Sequence, residues 1–275
     1  MATNNFIPEL WSAALLENFH RDTVVTELAN RDYEGELKSG SKITIPGIVE
    51  ITAHDYKAAG RTTTPDEVQD TAQELAIDQE KAFDFFVDDV DRAQSKYSFD
   101  AYTDSAARAL VEDAETFLTA LLSTQGTPVA GAAPTDWKSS WDAVKAVNSA
   151  LNVAKVPKAN RYLVINSEFE STLLDSDSKL VSVNTSGDNA GLREATIGRV
   201  LGFNVVTSLW LPNDAPMAIG FNPSALAFVS QINSTESLRS DNKFADRVRG
   251  LHVYGAKVLR PEAVKVFGGA PAAGA

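Results

Sequence analysis

Apolar positions recur at helical spacing near the start of the chain, at period two after it, and in alternating blocks of both kinds towards the end. Pro8 suits a first helical position, where its missing N–H costs nothing. Ile7, Leu10, Trp11, Ala14, Leu15 and Phe19 then share one helical face, and Val24, Val25 and Leu28 extend the apolar patch. Such a stripe buries itself either on its own domain or on a neighbouring subunit. From Gly35 to Asp88 the pattern is β. Ile43 and Ile45 alternate with polar residues, Pro46-Gly47 predicts a turn, and a polar stretch runs from Ala58 to Pro65. Leu75, Ile77, Phe83, Phe85 and Val87 then share one face with Gln79 and Lys81 between them, while Ala76, Asp78, Glu80, Asp84 and Asp88 take the other. As a single strand, Leu75 to Val87 would run roughly 40 Å at ~3.3 Å per residue. The pattern predicts a long two-stranded β-arm over residues 36–88, whose open edges call for a partner.

A long helix is predicted from Ser98 to Leu122. Phe99, Tyr102, Ala106, Ala109, Leu110, Ala114, Phe117 and Leu121 form its buried stripe. Asp100 and Asp104 sit at its positive end, and Gly126 is its stop. Ser123 to Thr135 reads as a linker or surface loop. Helix and strand then alternate: a helix from Trp137 to Ala154 with Trp141, Val144, Val147 and Leu151 inward, then a strand from Arg161 to Asn166. A short helix follows, with Ser167 and Glu170 as its capping box. Asn184 to Gly191 is a polar loop. Strands are predicted at Phe203–Thr207, Met217–Phe221, Ala225–Val229 after the Asn222-Pro223 turn, and Arg247–Leu259 before Pro261. The tail from Gly268 to Ala275 is expected to be disordered.

With 44% hydrophobic and 23% charged residues over 275 positions, the chain folds and is not disordered. It has no cysteine and three histidines (His20, His54, His252), which removes disulfides and thiolate chemistry and leaves little for a histidine metal centre. A net charge of -12 disfavours a nucleic-acid grip, which needs Lys and Arg against phosphate. No apolar run reaches the ~18 residues of a membrane span, and the start carries no secretory signal. Charge is unevenly placed. Between Pro65 and Asp91 only Lys81 opposes a dense acidic run, whereas Arg239 to Lys265 is net basic. These segments can attract within one subunit or between copies.

Searches for chemistry return little. There is no phosphate-binding loop and no nucleophile elbow. Asp175-Ser176-Asp177 begins like a calcium loop, but Lys179 and Leu180 break it. Asp88, Asp89 and Asp91 form either a carboxylate cluster for acid–base or metal chemistry, as in an acidic hydrolase, or a solvated helix start. His252, in an apolar strand, reads as a core or interface histidine. No enzyme activity and no cofactor are expected. A tail or decoration protein is a further alternative.

Several runs carry a resemblance. They are Phe6-Ile7-Pro8-Glu9-Leu10-Trp11-Ser12, Lys38-Ser39-Gly40-Ser41-Lys42-Ile43-Thr44-Ile45-Pro46, Val156-Pro157-Lys158-Ala159-Asn160-Arg161 with the apolar strand after it, Gly198 to Ser208, and Arg249-Gly250-Leu251-His252-Val253-Tyr254-Gly255 through to Glu262. In this order and spacing the chain resembles the major capsid proteins of tailed bacteriophages, with the Hong Kong 97-type capsid fold, from Phe6 to about Phe267. The resemblance implies an α+β fold with an N-terminal arm (1–35), an extended β-hairpin E-loop (36–88) and a peripheral domain with a spine helix (89–136). An axial domain (137–235) and peripheral return strands (236–267) complete it. It implies an icosahedral shell of hexamers and pentamers around double-stranded DNA, assembled in the host cytoplasm. A separate scaffolding protein, a portal protein and a decoration protein are the implied partners, with no sequence-specific DNA contact and no membrane. The alternative on the same fold is an encapsulin-type nanocompartment. The intersubunit contacts expected are Trp11 and Leu15 in the N-terminal arm, Lys57, Arg61, Glu74 and Glu80 in the β-arm, and Arg247 and Arg249 in the last strand. Some relatives form Lys–Asn crosslinks; Lys57 has no partner singled out by the sequence.

Overall fold

A computed structural model describes residues 23–34, 42–48, 53, 55, 57–58, 60–62, 70–88, 100–175, 198–240 and 242–268. The helix predicted from Pro8 and the loop at 184–191 lie outside these residues.

The inward–outward alternation from Leu75 to Val87 is present, but it belongs to two strands, not one. Strand β1 (Lys42–Ile48) pairs antiparallel with β2 (Asp70–Ala76), placing Ile43 opposite Leu75. Ile77 and Asp78 then leave the ladder. Strand β3 (Gln79–Asp88) pairs with β10 (Ala245–Val258) instead, placing Phe85 opposite Val248. The other edge of β10 carries β9 (Leu226–Arg239), with a register shift between Val253 and Tyr254.

Gly255 explains the break between β2 and β3. A Cβ there would lie 2.8 Å from the Ile77 Cα and closer still to the Ala76 carbonyl. The chain therefore crosses β10 at the point where β10 has no side chain. The root of the β1–β2 hairpin is apolar: Ile43, Ile45, Leu75 and Ile77 pack with Ala227, Val229 and Val253. Residues 79–88 thus lie in the sheet formed with β10. Pro46 and Gly47, predicted as a turn, sit inside β1 opposite Ala72 and Thr71. A strand with one neighbour tolerates a residue that cannot donate on its open side.

Helix α1 is short (Val25–Leu28). The long helix α2 spans Asp100–Gln125. Its buried residues are Ala114, Glu115, Leu118, Thr119 and Leu122, with Phe117 and Leu121 half-buried. Ala109, predicted inward, is exposed. Among the described side chains of α2, those in its C-terminal half enter the main core. Gly126 follows the helix for a packing reason, since a Cβ would lie 2.6 Å from Val266 Cγ2 and 2.9 Å from Val264 Cγ1.

The larger sheet has the order β4-β11-β8-β5-β7-β6. It is formed by β4 (Thr127–Val129), β5 (Arg161–Ile165), β6 (Arg199–Val200), β7 (Phe203–Thr207), β8 (Met217–Phe221) and β11 (Val264–Gly268). Strand β4 lies where a linker was predicted, and Gly268, placed in the disordered tail, closes β11. The central strand β8 is buried along its whole length, as expected of a strand covered on both faces. Helix α3 (Trp137–Val153) packs on this sheet with Ala143, Val144, Val147 and Leu151. Its N-cap is Asp136, which accepts from the Ser139 N–H at 2.8 Å.

The predicted capping box at Ser167 and Glu170 does not form; the N-cap lies one residue earlier, and the third helical residue is Phe169, which cannot return a hydrogen bond. The N-cap of α4 (Ser167–Leu173) is Asn166. Its Oδ1 accepts from the N–H of Phe169 and of Met217, both at 3.0 Å, and its amide donates to the carbonyls of Pro212 and Ala215. The fully buried Asn166 is thereby satisfied and ties α4, β8 and the 212–215 loop together. One apolar cluster joins Val25, Leu118 and Leu122 to α3, β5, β8 and β11. It therefore includes residues on both sides of the positions expected to separate peripheral and axial domains.

Candidate subunit-interface surfaces

Period-two alternation gives the β3-β10-β9 sheet two faces of different character. On the outward face Ala82, Asp84 and Phe86 of β3 stand beside Leu251, Arg249 and Arg247 of β10, with Glu236 and Leu238 of β9 beyond. Arg247 donates through Nε to both Asp84 oxygens at 2.9 Å, and its Nη2 adds a third contact. Hydrogen bonding to Arg247 holds the Asp84 carboxyl below its usual range and raises the guanidinium in turn. Arg249 donates to Glu236 through Nε at 3.0 Å and Nη2 at 2.7 Å. The acidic segment before residue 91 and the basic segment after 239 thus meet inside one chain at Asp84 and Arg247. These pairs are substantially exposed, so each contributes little to subunit stability.

The same face leaves apolar surface uncovered. Phe86 is 52% exposed, and Leu238 and Leu251 join it; Phe244, in the turn before β10, is 81% exposed. Lys243 Nζ lies 5.3 Å from the Phe86 ring centroid, and Arg247 Cζ lies 5.8 Å from it. A shallow groove is lined by Ala82, Asp84, Glu236, Arg249 and Leu251.

The inward face fastens the sheet to α2. Tyr254, with 0% exposure, donates its hydroxyl to Asp113 Oδ2 at 2.6 Å. Lys81 Nζ lies 3.4 Å from the other Asp113 oxygen. The Tyr254 ring packs edge-on against Phe117 and contacts Phe228 and His252. Burial, and then the bond to Asp113, pushes the Tyr254 phenol well above its ordinary pKa. His252 is buried with Nε2 at 3.1 Å from Ser230 Oγ, and burial lowers its pKa. It is a core histidine.

The described part of the arm's far end is a tight turn. Asp55 Oδ1 accepts from the N–H of Lys57 (2.9 Å) and Ala58 (3.2 Å), and the Gly60 N–H donates to the Lys57 carbonyl. Gly60 and Arg61 both adopt positive φ, 66° and 64°. Lys57 and Arg61 are exposed. Nearer the root, Glu74 is paired within the chain by Lys42 Nζ at 2.9 Å, which lowers its pKa. Lys257 Nζ donates to the Glu74 carbonyl at 2.8 Å. Glu80 lies on the exposed face of β3 and makes no ion pair among the described residues. Trp11 and Leu15 lie outside the described residues, as do Asp89 and Asp91; Asp88 ends β3 opposite Ala245.

Among the described residues no group of three or more His, Asp or Glu side chains could hold a metal, and no helix is long and apolar enough to cross a membrane. Sequence reasoning missed Phe86 and Phe244 on these surfaces and Asp113 beneath them. Asp113 and Tyr254 are 141 positions apart, and nothing local in either segment marks the pair.

Residues 71–267 match the profile of the family described as phage capsid protein. A solved structure from Mycobacterium phage Che8 superposes with a TM-score of 0.89 at 48% identity, covering 97% of this chain and 98% of that one. The capsid structure of the cyanophage P-SCSP1u has a TM-score of 0.80 at 18% identity, over 97% of this chain and 93% of that one. The mature capsid of bacteriophage PhiM1 gives 0.72 at 15% identity, over 94% and 90%. No curated protein sequence matches the chain.

Proposed function

The chain belongs to the phage capsid protein family and is a major capsid protein of Hong Kong 97-type fold; from that premise we propose how its surfaces build the shell. Copies close into an icosahedral shell of hexamers and pentamers around the double-stranded DNA genome of a tailed phage. The observation that carries the assignment of surfaces is the outward face of the β3-β10-β9 sheet. There Phe86, Leu238 and Leu251 stay uncovered in the single chain, with exposed Phe244 at the turn into β10, beside charged groups that can re-pair across a contact.

The β1–β2 hairpin is the arm that reaches a neighbouring copy. Lys57 and Arg61 at its turn, Trp11 and Leu15 in the N-terminal segment, and Glu74, Glu80, Arg247 and Arg249 near the body are the proposed contacts. Glu74, Arg247 and Arg249 act there as members of ion pairs already formed within the subunit, and Glu80 as a carboxylate with no ion pair among the described residues. The role is mechanical, without catalysis or cofactor. The acidic balance suits a lining that holds DNA without gripping its sequence. A separate scaffolding protein, a portal and a decoration protein are the partners, and assembly proceeds in the host cytoplasm before the protein becomes part of the virion. The likeness at 48% identity is to a phage structure, so the nanocompartment reading is not carried forward.

Negative-stain electron microscopy of the chain, expressed alone and together with its flanking genes, tests this reading. Closed shells of uniform size are expected in at least one of the two preparations. Small particles alone in both would overturn it.

A further inference from the structure

A carboxylate cut off from water is costly unless its oxygens are met by donors. Glu115, with 0% exposure, is met by four donors from one short stretch. Oε1 accepts from the N–H of Val24 at 2.9 Å and of Val25 at 2.7 Å. Oε2 accepts from the N–H of Thr26 at 2.8 Å and from its hydroxyl at 2.6 Å. Among the described residues no cation pairs with it. These bonds carry a full charge and are of the stronger kind.

The stretch is pinned at its other end too. The Asn30 N–H donates to the Leu226 carbonyl and the Phe228 N–H to the Asn30 carbonyl, both at 2.9 Å. Arg31 Nη2 donates to the Thr26 carbonyl at 3.1 Å. Helix α1 has four residues, too few to hold its own geometry. The first turn of α1 is therefore set by one carboxylate on α2, and residues 1–23 lead into it.

We propose that Glu115 is a positioning residue for assembly: it fixes the point and direction from which the N-terminal segment leaves the body towards a second copy of the chain. This rests on the shell reading above. Glu115→Gln keeps the shape but turns an amide donor towards backbone donors. Thr26→Val keeps the volume and removes the hydroxyl donor alone.

The experiment compares the full-length chain with both variants by circular dichroism, by the rate of trypsin cleavage after Arg21 relative to other sites, and by electron microscopy under the conditions that give wild-type shells. Folded Glu115→Gln subunits should be cut after Arg21 about tenfold faster than wild type, since a lost charge-assisted bond shifts a local opening equilibrium by at least that factor. Their shells should be fewer or malformed, with Thr26→Val between the two. Wild-type cleavage and wild-type shells from folded Glu115→Gln would overturn the proposal. So would a Glu115→Gln chain that fails to fold together with a Thr26→Val chain identical to wild type, which would leave Glu115 a stability residue only. Failure of the wild-type chain to form shells counts against the shell reading instead, and the cleavage rates on free subunits still decide the local claim.

Discussion

Gly250 stands opposite Phe83, and a Cβ on it would overlap the Phe83 ring. Phe83 is half-buried, so its side chain can swing aside at a modest cost. At Gly255 the obstacle is backbone, the Ala76 carbonyl and the Ile77 Cα, and cannot rotate away. Urea unfolding should therefore rank the two substitutions: about 1 kcal/mol lost for Gly250→Ala and about 3 kcal/mol or more for Gly255→Ala. Two buried titratable groups contribute to opposite limbs of the stability–pH curve. The folded chain holds His252 below its ordinary ~6.5, so the unfolded chain binds the proton more readily, and stability declines as pH drops below that value. Tyr254 is held above its ordinary ~10, so its contribution is intact below that value and is lost as pH rises beyond it. Melting temperatures across pH should show both limbs. His252→Gln should flatten the acid limb above the carboxylate range, and Tyr254→Phe the alkaline one. The fate of His252 was legible from its apolar strand neighbours. The role of Tyr254 was not, because it depends on a helix residue far away in sequence.

Elements with a strong internal period were legible almost to the residue: β7 and β8, α3, and the two faces of β3. Misreadings fall where tertiary contact overrides local pattern. The period-two run from Leu75 to Val87 is continuous in sequence, and only the crossing at Gly255 divides it. Strand β9 was read as ending at Val229 because its continuation from Ser230 is polar, yet pairing with β10 carries it to Arg239. Strand β4, three residues including a proline, is held as a strand only by parallel pairing to β11. The buried stripe of α2 was legible at Ala114, Phe117 and Leu121 and failed at Ala109, which is exposed; Phe99 and the side chain of Tyr102 lie outside the described residues. The ends of short helices depend on single side chains: Asn166 satisfies four groups at once, an arrangement that a search for Ser and Glu spacing passes over.

At the scale of the whole molecule, the proposed role of the arm would separate what folds from what assembles. Its root is packed into an apolar cluster of its own, whereas its far turn is held by local hydrogen bonds. Deleting residues 58–68 should therefore leave the subunit's melting temperature nearly unchanged while blocking or weakening shell formation, read by sedimentation and electron microscopy. Normal shells from that deletion would contradict the assigned role of the arm. That the chain assembles was legible from the resemblance to capsid proteins and not from the period-two stretch itself, whose second half is covered by β10 within the chain. Which charges meet within the chain was not, because Asp84 and Arg247 are joined only by the strand register. The crossing at Gly255 has a mechanical consequence. A filled shell is stretched from within, and tension entering the arm passes along β2 directly into β3. Ladder hydrogen bonds lie perpendicular to the strands, so a pull along β3 loads its ten residue pairs with β10 together, in shear. The joint between arm and body is thus built to slide or hold as a unit instead of unzipping one pair at a time.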